Sequence, residues 1–186
     1  TSIDYDDNDE SVQSAPLPKQ QVSIVGTPMG VVGSDIVVTV GYDTSDDNAS
    51  LTGLGMRMYY DSSVLTFEEL SNVLSEDKIG VFGPNNDADD DDSDPLTDKY
   101  INGSWASLEA GAAWPGTISA ELFTVTFTVN STSSASTDIN FSPTSTASGY
   151  EFDGESYSMN IIEGSFDFDG NGTHDALSDG LLFLRY

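Results

Sequence analysis

Apolar and polar positions alternate in several short runs between residues 21 and 162. The clearest run covers residues 121–130, where Phe123, Val125, Phe127 and Val129 fall on one face and threonines on the other. Successive side chains of a β-strand point to opposite faces, so this pattern predicts half-buried strands. Similar runs occur in the stretches QVSIVG, DIVVTVGY and LGMRMYY.

Turn-forming residues separate these runs along the chain. We count about eight or nine short strands, and only one weak helical pattern, near Phe67–Leu74. The dipeptide Asp153-Gly154 is a hairpin turn signal between two of the later strands. Many short strands divided by turn residues predict an all-β sandwich.

The charge balance narrows the range of partners. The chain has 186 residues, of which 32 are acidic and 5 are basic, for a formal net charge of −27. Phosphate backbones and anionic lipid surfaces attract basic stripes, so we expect neither nucleic acid binding nor membrane insertion. Strong acidity suits divalent cations, saline surroundings or solubility outside the cell. The chain starts at Thr1 without a charged and then apolar leader, and we expect a mature fragment whose signal sequence was removed or never included.

Composition also divides the chain into three parts. Residues 1–20 are acidic and carry prolines, which predicts a linker or arm. Residues 21–165 hold the predicted sandwich, and residues 166–186 form a separate terminal unit.

Two internal stretches concentrate carboxylates. Residues 85–95 hold six aspartates, and we expect a long excursion between strands that is either solvated or neutralised by calcium. A second possible cation cluster, or a solvated loop, consists of Asp43, Asp46, Asp47 and Asn48.

The terminal unit has the spacing of an EF-hand calcium loop. Oxygen-bearing side chains fall at positions 1, 3, 5 and 9 of the loop, and Gly172 at position 6 allows the sharp turn. Position 12 is Ser178 rather than an acid, and the acid follows one residue later. The alternative is a metal-free surface turn, but an apolar helix at Leu181–Leu184 favours Ca2+. The predicted metal ligands are Asp167, Asp169, Asn171, Thr173 (through its carbonyl oxygen), Asp175 and Asp179.

The terminal stretch DFDGNGTHDALSDGLLFLRY resembles a dockerin-type calcium repeat. Dockerins carry two such loop-helix repeats, whereas the resemblance here covers 20 residues and therefore half a module. Such repeats occur in large secreted bacterial proteins, so the resemblance implies a secreted or cell-surface bacterial protein. We expect the lone repeat to be a truncation point, the first half of an intermolecular site, or a clip that folds back on the preceding domain.

The preceding part of the chain resembles a cohesin over roughly residues 21–165. The resemblance is carried by QVSIVGTPMGVVGSDIVVTVGY, by LTGLGMRMYYDSSVLTF, by WPGTISAELFTVTFTV and by YEF followed by SMNIIEGS. It implies a jelly-roll β-sandwich of about nine strands, and a binding module whose flat sheet face takes a dockerin. The aspartate-rich insertion at 85–95 departs from the family and bears on whether that face is free.

Aromatic residues and the lone histidine are the remaining candidates for binding or catalytic chemistry. Tyr59, Tyr60, Trp105 and Trp114 have faces that suit sugar rings, but aromatic side chains also carry much of a sandwich core. We expect Tyr60 and Trp105 to be buried and Trp114, beside a proline and a glycine, to be exposed. With one histidine, His174, and no cysteine, zinc, haem and catalytic-triad sites lack their parts, so we expect no enzyme.

These observations predict a non-catalytic extracellular calcium-binding module for calcium-dependent protein assembly or surface adhesion. Its expected partner is a dockerin-type or cohesin-type module, including a second copy of itself. The alternative is a carbohydrate-binding module with structural calcium and a polysaccharide partner. A hydrolase fragment is the third reading, and it would need two carboxylates in one cleft.

Overall fold

The computed structural model describes residues 15–108, 111, 113–130 and 134–163. Within these ranges the chain forms thirteen strands and no helix, which confirms the predicted all-β class; accordingly, none of this part contains a helix able to span a membrane. In chain order the strands are β1 (Lys19–Ile24), β2 (Gly30–Val31), β3 (Asp35–Thr44), β4 (Ser50–Leu51), β5 (Gly53–Tyr60), β6 (Leu65–Ser71), β7 (Lys78–Asn86), β8 (Lys99–Ala106), β9 (Trp114–Pro115), β10 (Ala120–Val129), β11 (Ser136–Ser145), β12 (Glu151–Gly154) and β13 (Tyr157–Ile162).

The strands form two main layers. One sheet has five strands in the order β12-β1-β3-β10-β6, and the other has six in the order β2-β13-β11-β5-β8-β7. Strands β4 and β9 form a separate short antiparallel pair. Most neighbours are antiparallel, and the parallel pairs are β1 with β12 and β13 with β2. The count exceeds the expected nine partly because three of the thirteen strands are two-residue pieces.

The core lies between the two main sheets and consists of the inward-facing apolar side chains of both. Tyr60 of β5 contacts Phe127 of β10 at 4.9 Å between ring centroids, and Trp105 of β8 stacks on Phe123 of β10 at 6.4 Å. All four of the predicted inward positions on β10 are buried, as the alternation required. Aromatic pairs with such offsets add to the stabilisation from area burial.

A buried glutamine links the two sheets on the inside. Gln20 is fully buried in β1, one residue before the predicted start of the domain. Its Nε2 donates to the Tyr42 hydroxyl at 2.8 Å and to the Gly53 carbonyl at 3.0 Å, and its Oε1 accepts from the Ala147 amide at 2.7 Å. Every polar atom of the side chain therefore has a partner, as a buried amide requires.

Two local predictions were wrong. The weak helical pattern near Phe67–Leu74 belongs mostly to β6, because Phe67 pairs with Phe127 at the edge of the five-stranded sheet. The Asp153-Gly154 signal is not a hairpin turn, because both residues lie in β12, paired with β1, and the chain then crosses to the other sheet as β13. In both cases a partner strand that is distant in sequence overrode the local signal.

Candidate functional site

The outer face of the six-stranded sheet carries side chains that are unusual for a solvent-facing strand. Four residues of β5 belong to the core, whereas the alternate positions Arg57 and Tyr59 lie on the opposite face. Tyr59 is nevertheless fully buried, and its hydroxyl lies 2.8 Å from Ser142 Oγ on β11. A buried residue on the outer face means that something covers the sheet there.

The cover is the acidic loop, which we define as residues 87–98 between β7 and β8. Asp91 forms an ion pair with Arg57 of β5. Asn140 Nδ2 of β11 donates to Asp92 Oδ2 at 2.9 Å and to Asp94 Oδ2 at 3.3 Å. The loop thus folds back across β5 and β11 of the same sheet, and its position is set by charge-assisted hydrogen bonds.

The acidic loop also holds its own shape. Thr97 is 2% exposed, and its hydroxyl donates to Asp92 Oδ2 at 2.6 Å. The Asp91 amide donates to Asp87 Oδ2 at 3.1 Å. At the end of the loop, the amide and the hydroxyl of Ser62 both donate to Asp98, each at 2.8 Å. The expected excursion is therefore present, and it is folded by its own aspartates.

Three carboxylates of the acidic loop converge. Oxygen atoms of Asp87, Asp90 and Asp92 lie within 4.8 Å of one another. Burial, and then repulsion by the neighbouring carboxylates, raise the pKa of Asp87, while a hydrogen bond from the Asp91 amide opposes this. Hard cations such as Ca2+ bind oxygen ligands, and these three carboxylates are a suitable donor set. Calcium binding in the acidic loop stays a prediction.

Cation–π and aromatic contacts complete the covered region. The Arg57 guanidinium carbon lies 4.5 Å from the ring centroid of Tyr100 on β8. The rings of Tyr100 and Tyr59 are 5.7 Å apart. An arginine stacked on one side and paired with Asp91 on another is held in one orientation.

The same face continues onto β7 and β8, where the outward residues are half-buried or exposed. Ser104 of β8 lies opposite Gly80 of β7, whereas Gly55 of β5, on the other side of Ser104, is buried against β11. Phe82 of β7 is 57% exposed, and its ring lies over Gly80, where a Cβ atom would collide with it. We call Gly80, Phe82, Asn102 and Ser104 the open patch.

Three aromatic predictions can be compared with the structure. Tyr60 and Trp105 are buried, as predicted, and burial raises the pKa of Tyr60 to about 12. The prediction that Trp114 is exposed was wrong, because it is fully buried and packs on Tyr42 at 4.8 Å and on Trp105 at 6.0 Å between ring centroids. Its neighbours in sequence suggested a loop, but β9 turns it into the core.

The second acidic stretch is organised by hydrogen bonds. Asp46 accepts from the Tyr150 hydroxyl at 2.7 Å, and Asn48 Nδ2 donates to the same hydroxyl at 2.9 Å. Asp43 accepts from the Thr44 amide at 2.7 Å. Within the part of the chain that the structure describes, convergence of three metal-capable groups is found at the acidic loop and not here.

The predicted terminal calcium ligands lie outside the described residues. These are Asp167, Asp169, Asn171, Thr173, Asp175 and Asp179, together with His174 of the same loop. The acidic arm is also outside them up to residue 14.

Sequence reasoning missed the covered half of the six-stranded face. The available signal was Tyr59, which the alternation of β5 assigns to the solvent side together with Arg57. A large aromatic residue at such a position, followed by a long acidic insertion, indicates a segment that folds over the sheet.

Comparison with known proteins gives a consistent result. A family model described as Cohesin domain matches residues 21–163, which is well over half of the chain. No curated protein matches the sequence.

Solved structures share the fold at low identity. The seventh ScaB type I cohesin from Pseudobacteroides cellulosolvens aligns with a TM-score of 0.54 and 14% identity, over 84% of this chain and 97% of that one. The sixth cohesin of scaffoldin B from Acetivibrio cellulolyticus, solved in complex with Cel5 dockerin, has a TM-score of 0.52 and 13% identity, over 77% and 99%. The third cohesin ScaC in complex with the ScaB dockerin, also from Acetivibrio cellulolyticus, has a TM-score of 0.52 and 11% identity, over 78% and 99%.

Proposed function

Since the chain belongs to the Cohesin domain family, we propose that it is a non-catalytic assembly module that binds a dockerin-type partner on the outer face of its six-stranded sheet. Two of the similar structures were solved as complexes with dockerins. The observation that carries the choice of face is the open patch, where the exposed ring of Phe82 borders two small residues, Gly80 and Ser104.

The chemistry of the open patch suits a protein surface. Small side chains let another backbone approach closely, and Phe82 offers an apolar anchor of the kind found at the centre of interfaces. Asn102 and Ser104 are half-buried and supply hydrogen-bonding groups beside it. The five-stranded sheet lacks such an aromatic anchor on the residues that the structure describes.

A polysaccharide partner is supported less well. Sugar-binding sheets use rows of exposed aromatic rings, and among the described residues Phe82 is the one aromatic side chain that is largely exposed. The tryptophans that would serve this role, Trp105 and Trp114, are both in the core. A single ring favours docking of a protein over stacking of a sugar chain.

The calcium part of the proposal belongs to the terminal unit. Asp167, Asp169, Asn171, Thr173, Asp175 and Asp179 provide the oxygen donors that Ca2+ requires. Bound calcium would neutralise the repulsion among these carboxylates and order the segment that follows. We further propose that the module works outside the cell, and that its partner is a dockerin-type module or the terminal unit of a second copy.

Calorimetry tests the partner and the face together. The chain is titrated with recombinant dockerin modules and, separately, with a peptide of residues 166–186, in calcium and in chelator. Ser104→Tyr keeps a good strand former but places a ring on the open patch. We expect binding that Ser104→Tyr weakens by at least tenfold. Binding that this variant leaves unchanged would move the site to another surface.

The calcium site has its own test. The chelated chain is titrated with Ca2+ and compared with the double variant Asp167→Ala, Asp169→Ala. We expect heat of binding that the double variant loses. Equal calcium binding by both proteins would assign the ion to other carboxylates, with the acidic loop as the first place to look.

A further inference from the structure

The acidic loop stands directly beside the open patch. Arg57 of β5 pairs with Asp91 of the loop and lies directly opposite Asn102 of β8, which belongs to the open patch. Neighbouring strands of a sheet are roughly 5 Å apart. A protein on the open patch is therefore within about 10 Å of Asp91, which is one Debye length at 0.1 M salt.

The charge at this border is strongly negative. The acidic loop contains seven aspartates and no basic residue. Arg57 is already paired with Asp91, and the side chains of Asp92, Asp94 and Asp98 accept hydrogen bonds from the domain. Asp89 and Asp90 are exposed, and neither accepts one of the contacts that fix the loop to the sheet. In the absence of calcium, their charge is available to an incoming partner. Because Asp90 also belongs to the three-carboxylate cluster, the charge variants are compared in chelator.

We propose that the acidic loop is a specificity element, which limits the docking surface to the open patch and selects a partner whose adjoining surface carries lysine or arginine. The inference rests on the proposed function and names the partner chemistry for the same face. Complementary charge at the rim of an interface raises the association rate and rejects partners of like charge. The loop does both because it is held in place before the partner arrives.

A second copy of the sandwich is a poor occupant of this surface. A two-fold contact through the open patch brings the same patch of each copy together, and with it both acidic loops. Seven carboxylates on each side would then face each other without a basic residue from either loop. Like charges across an interface cost several kcal/mol. The terminal unit of a second copy, with four aspartates and one arginine, meets the same repulsion, so the observations favour a dockerin-type partner with a basic rim.

A displayed library makes the test independent of a known partner. A yeast-displayed two-helix scaffold, randomised at its exposed positions, is selected against the full chain. The recovered binders are then measured against three variants. Asp89→Asn with Asp90→Asn removes charge from the loop. Asp90 has a positive φ of 54°, which asparagine tolerates as well as aspartate does. Glu68→Gln with Glu69→Gln removes the same charge from exposed positions of β6 on the other sheet. Ser104→Tyr blocks the open patch.

We expect binders rich in lysine and arginine that Ser104→Tyr abolishes. Their association rate should fall about threefold to tenfold in the Asp89/Asp90 variant at low salt and change less than twofold in the Glu68/Glu69 variant. Equal effects of the two charge variants would overturn the role of the loop while leaving the face intact. Binders that Ser104→Tyr does not affect, or no binders at all, would overturn the docking face itself.

Discussion

The two outer faces of the sandwich arise from the same alternating pattern, yet they are completed in different ways. On the five-stranded sheet, outward threonines form hydrogen bonds with one another or with the edge strand β6. Thr39 Oγ1 lies 3.4 Å from Thr124 Oγ1, and Thr128 Oγ1 donates to Glu68 of β6 at 2.8 Å. On the six-stranded sheet, Tyr59 and Arg57 are large, and the acidic loop covers them.

The difference shows how side-chain size decides what must cover a sheet. A short hydroxyl on a strand is satisfied by its neighbours or by water, so a threonine face needs no further chain. A tyrosine and an arginine have apolar bodies and polar ends, and burying them is favourable only when the polar ends find partners. The acidic loop supplies those partners on one half of the face and leaves the other half for binding.

The strongest way to break this contrast is to remove the covered tyrosine. Tyr59→Ala should lower the free energy of unfolding by about 3–5 kcal/mol, because a fully buried aromatic ring leaves a cavity beneath the loop. Thr126→Ala, at a half-buried outward position of β10, should cost less than about 1 kcal/mol. Urea unfolding of both variants measures the difference, and similar losses would mean that the loop does not seal the face.

Two glycines, one in each sheet, sharpen the comparison at the level of the backbone. Gly53 of β5 has φ of 134°, and a Cβ atom there would collide with the backbone of Trp105 and Ala106. Gly53→Ala should therefore cost about 3 kcal/mol.

Gly41 of β3 is the matched control. Its Cβ would come too close to a methyl group of the Val25 side chain, at 2.9 Å, which can move aside, whereas the nearest backbone atom is at an ordinary contact distance of 3.7 Å. Gly41→Ala should cost about 1 kcal/mol. Thermal unfolding compares the two, and a larger loss at Gly41 would contradict the expected order.

The contact between the acidic loop and β11 can be removed without touching the core. Asn140→Ala deletes the hydrogen bonds to Asp92 and Asp94 and should cost about 1–2 kcal/mol. Thr128→Val, which deletes a hydroxyl contact on the other face, should cost no more than about 0.5 kcal/mol. Hydrogen exchange should show faster exchange of the Asp91 and Thr97 amides in Asn140→Ala alone; unchanged rates would mean that other contacts suffice to hold the loop.

The smallest expected effect concerns pH. The pKa of Asp87 is raised in the folded protein, chiefly by burial and then by like charges, above its ordinary value of 3.8. An acid with a raised folded pKa destabilises the fold while it is ionised, and the penalty disappears as pH falls through the folded pKa towards 3.8.

Asp87→Asn should therefore stabilise the protein at neutral pH by a few tenths of a kcal/mol, since the group is partly solvated. The gain should vanish near pH 4. Unfolding measured across this range checks the sign, and a destabilising effect at neutral pH would show that the charged form of Asp87 is favoured instead.

The sequence predicted the class of fold and the strand faces well, and the site only in part. Period-two alternation assigned Phe123 and Phe127 to the core, and the composition pointed to an acidic excursion near residues 85–95. The local pattern placed Trp114 at the surface, although its burial depends on the short pairing of β9 with β4. It also predicted a turn at Asp153-Gly154, although both residues pair with β1 as part of a strand.

What the sequence alone determined is local: which residues alternate, where carboxylates gather, and that the chain forms strands. Side-chain alternation follows from the geometry of a single strand and needs no knowledge of the neighbours. The tertiary structure decided how the outer faces are finished. Arg57 meets Asp91 across 34 residues, and Asn140 meets Asp92 across 48. Such contacts form only after loop closure brings distant segments together, so no local pattern contains them.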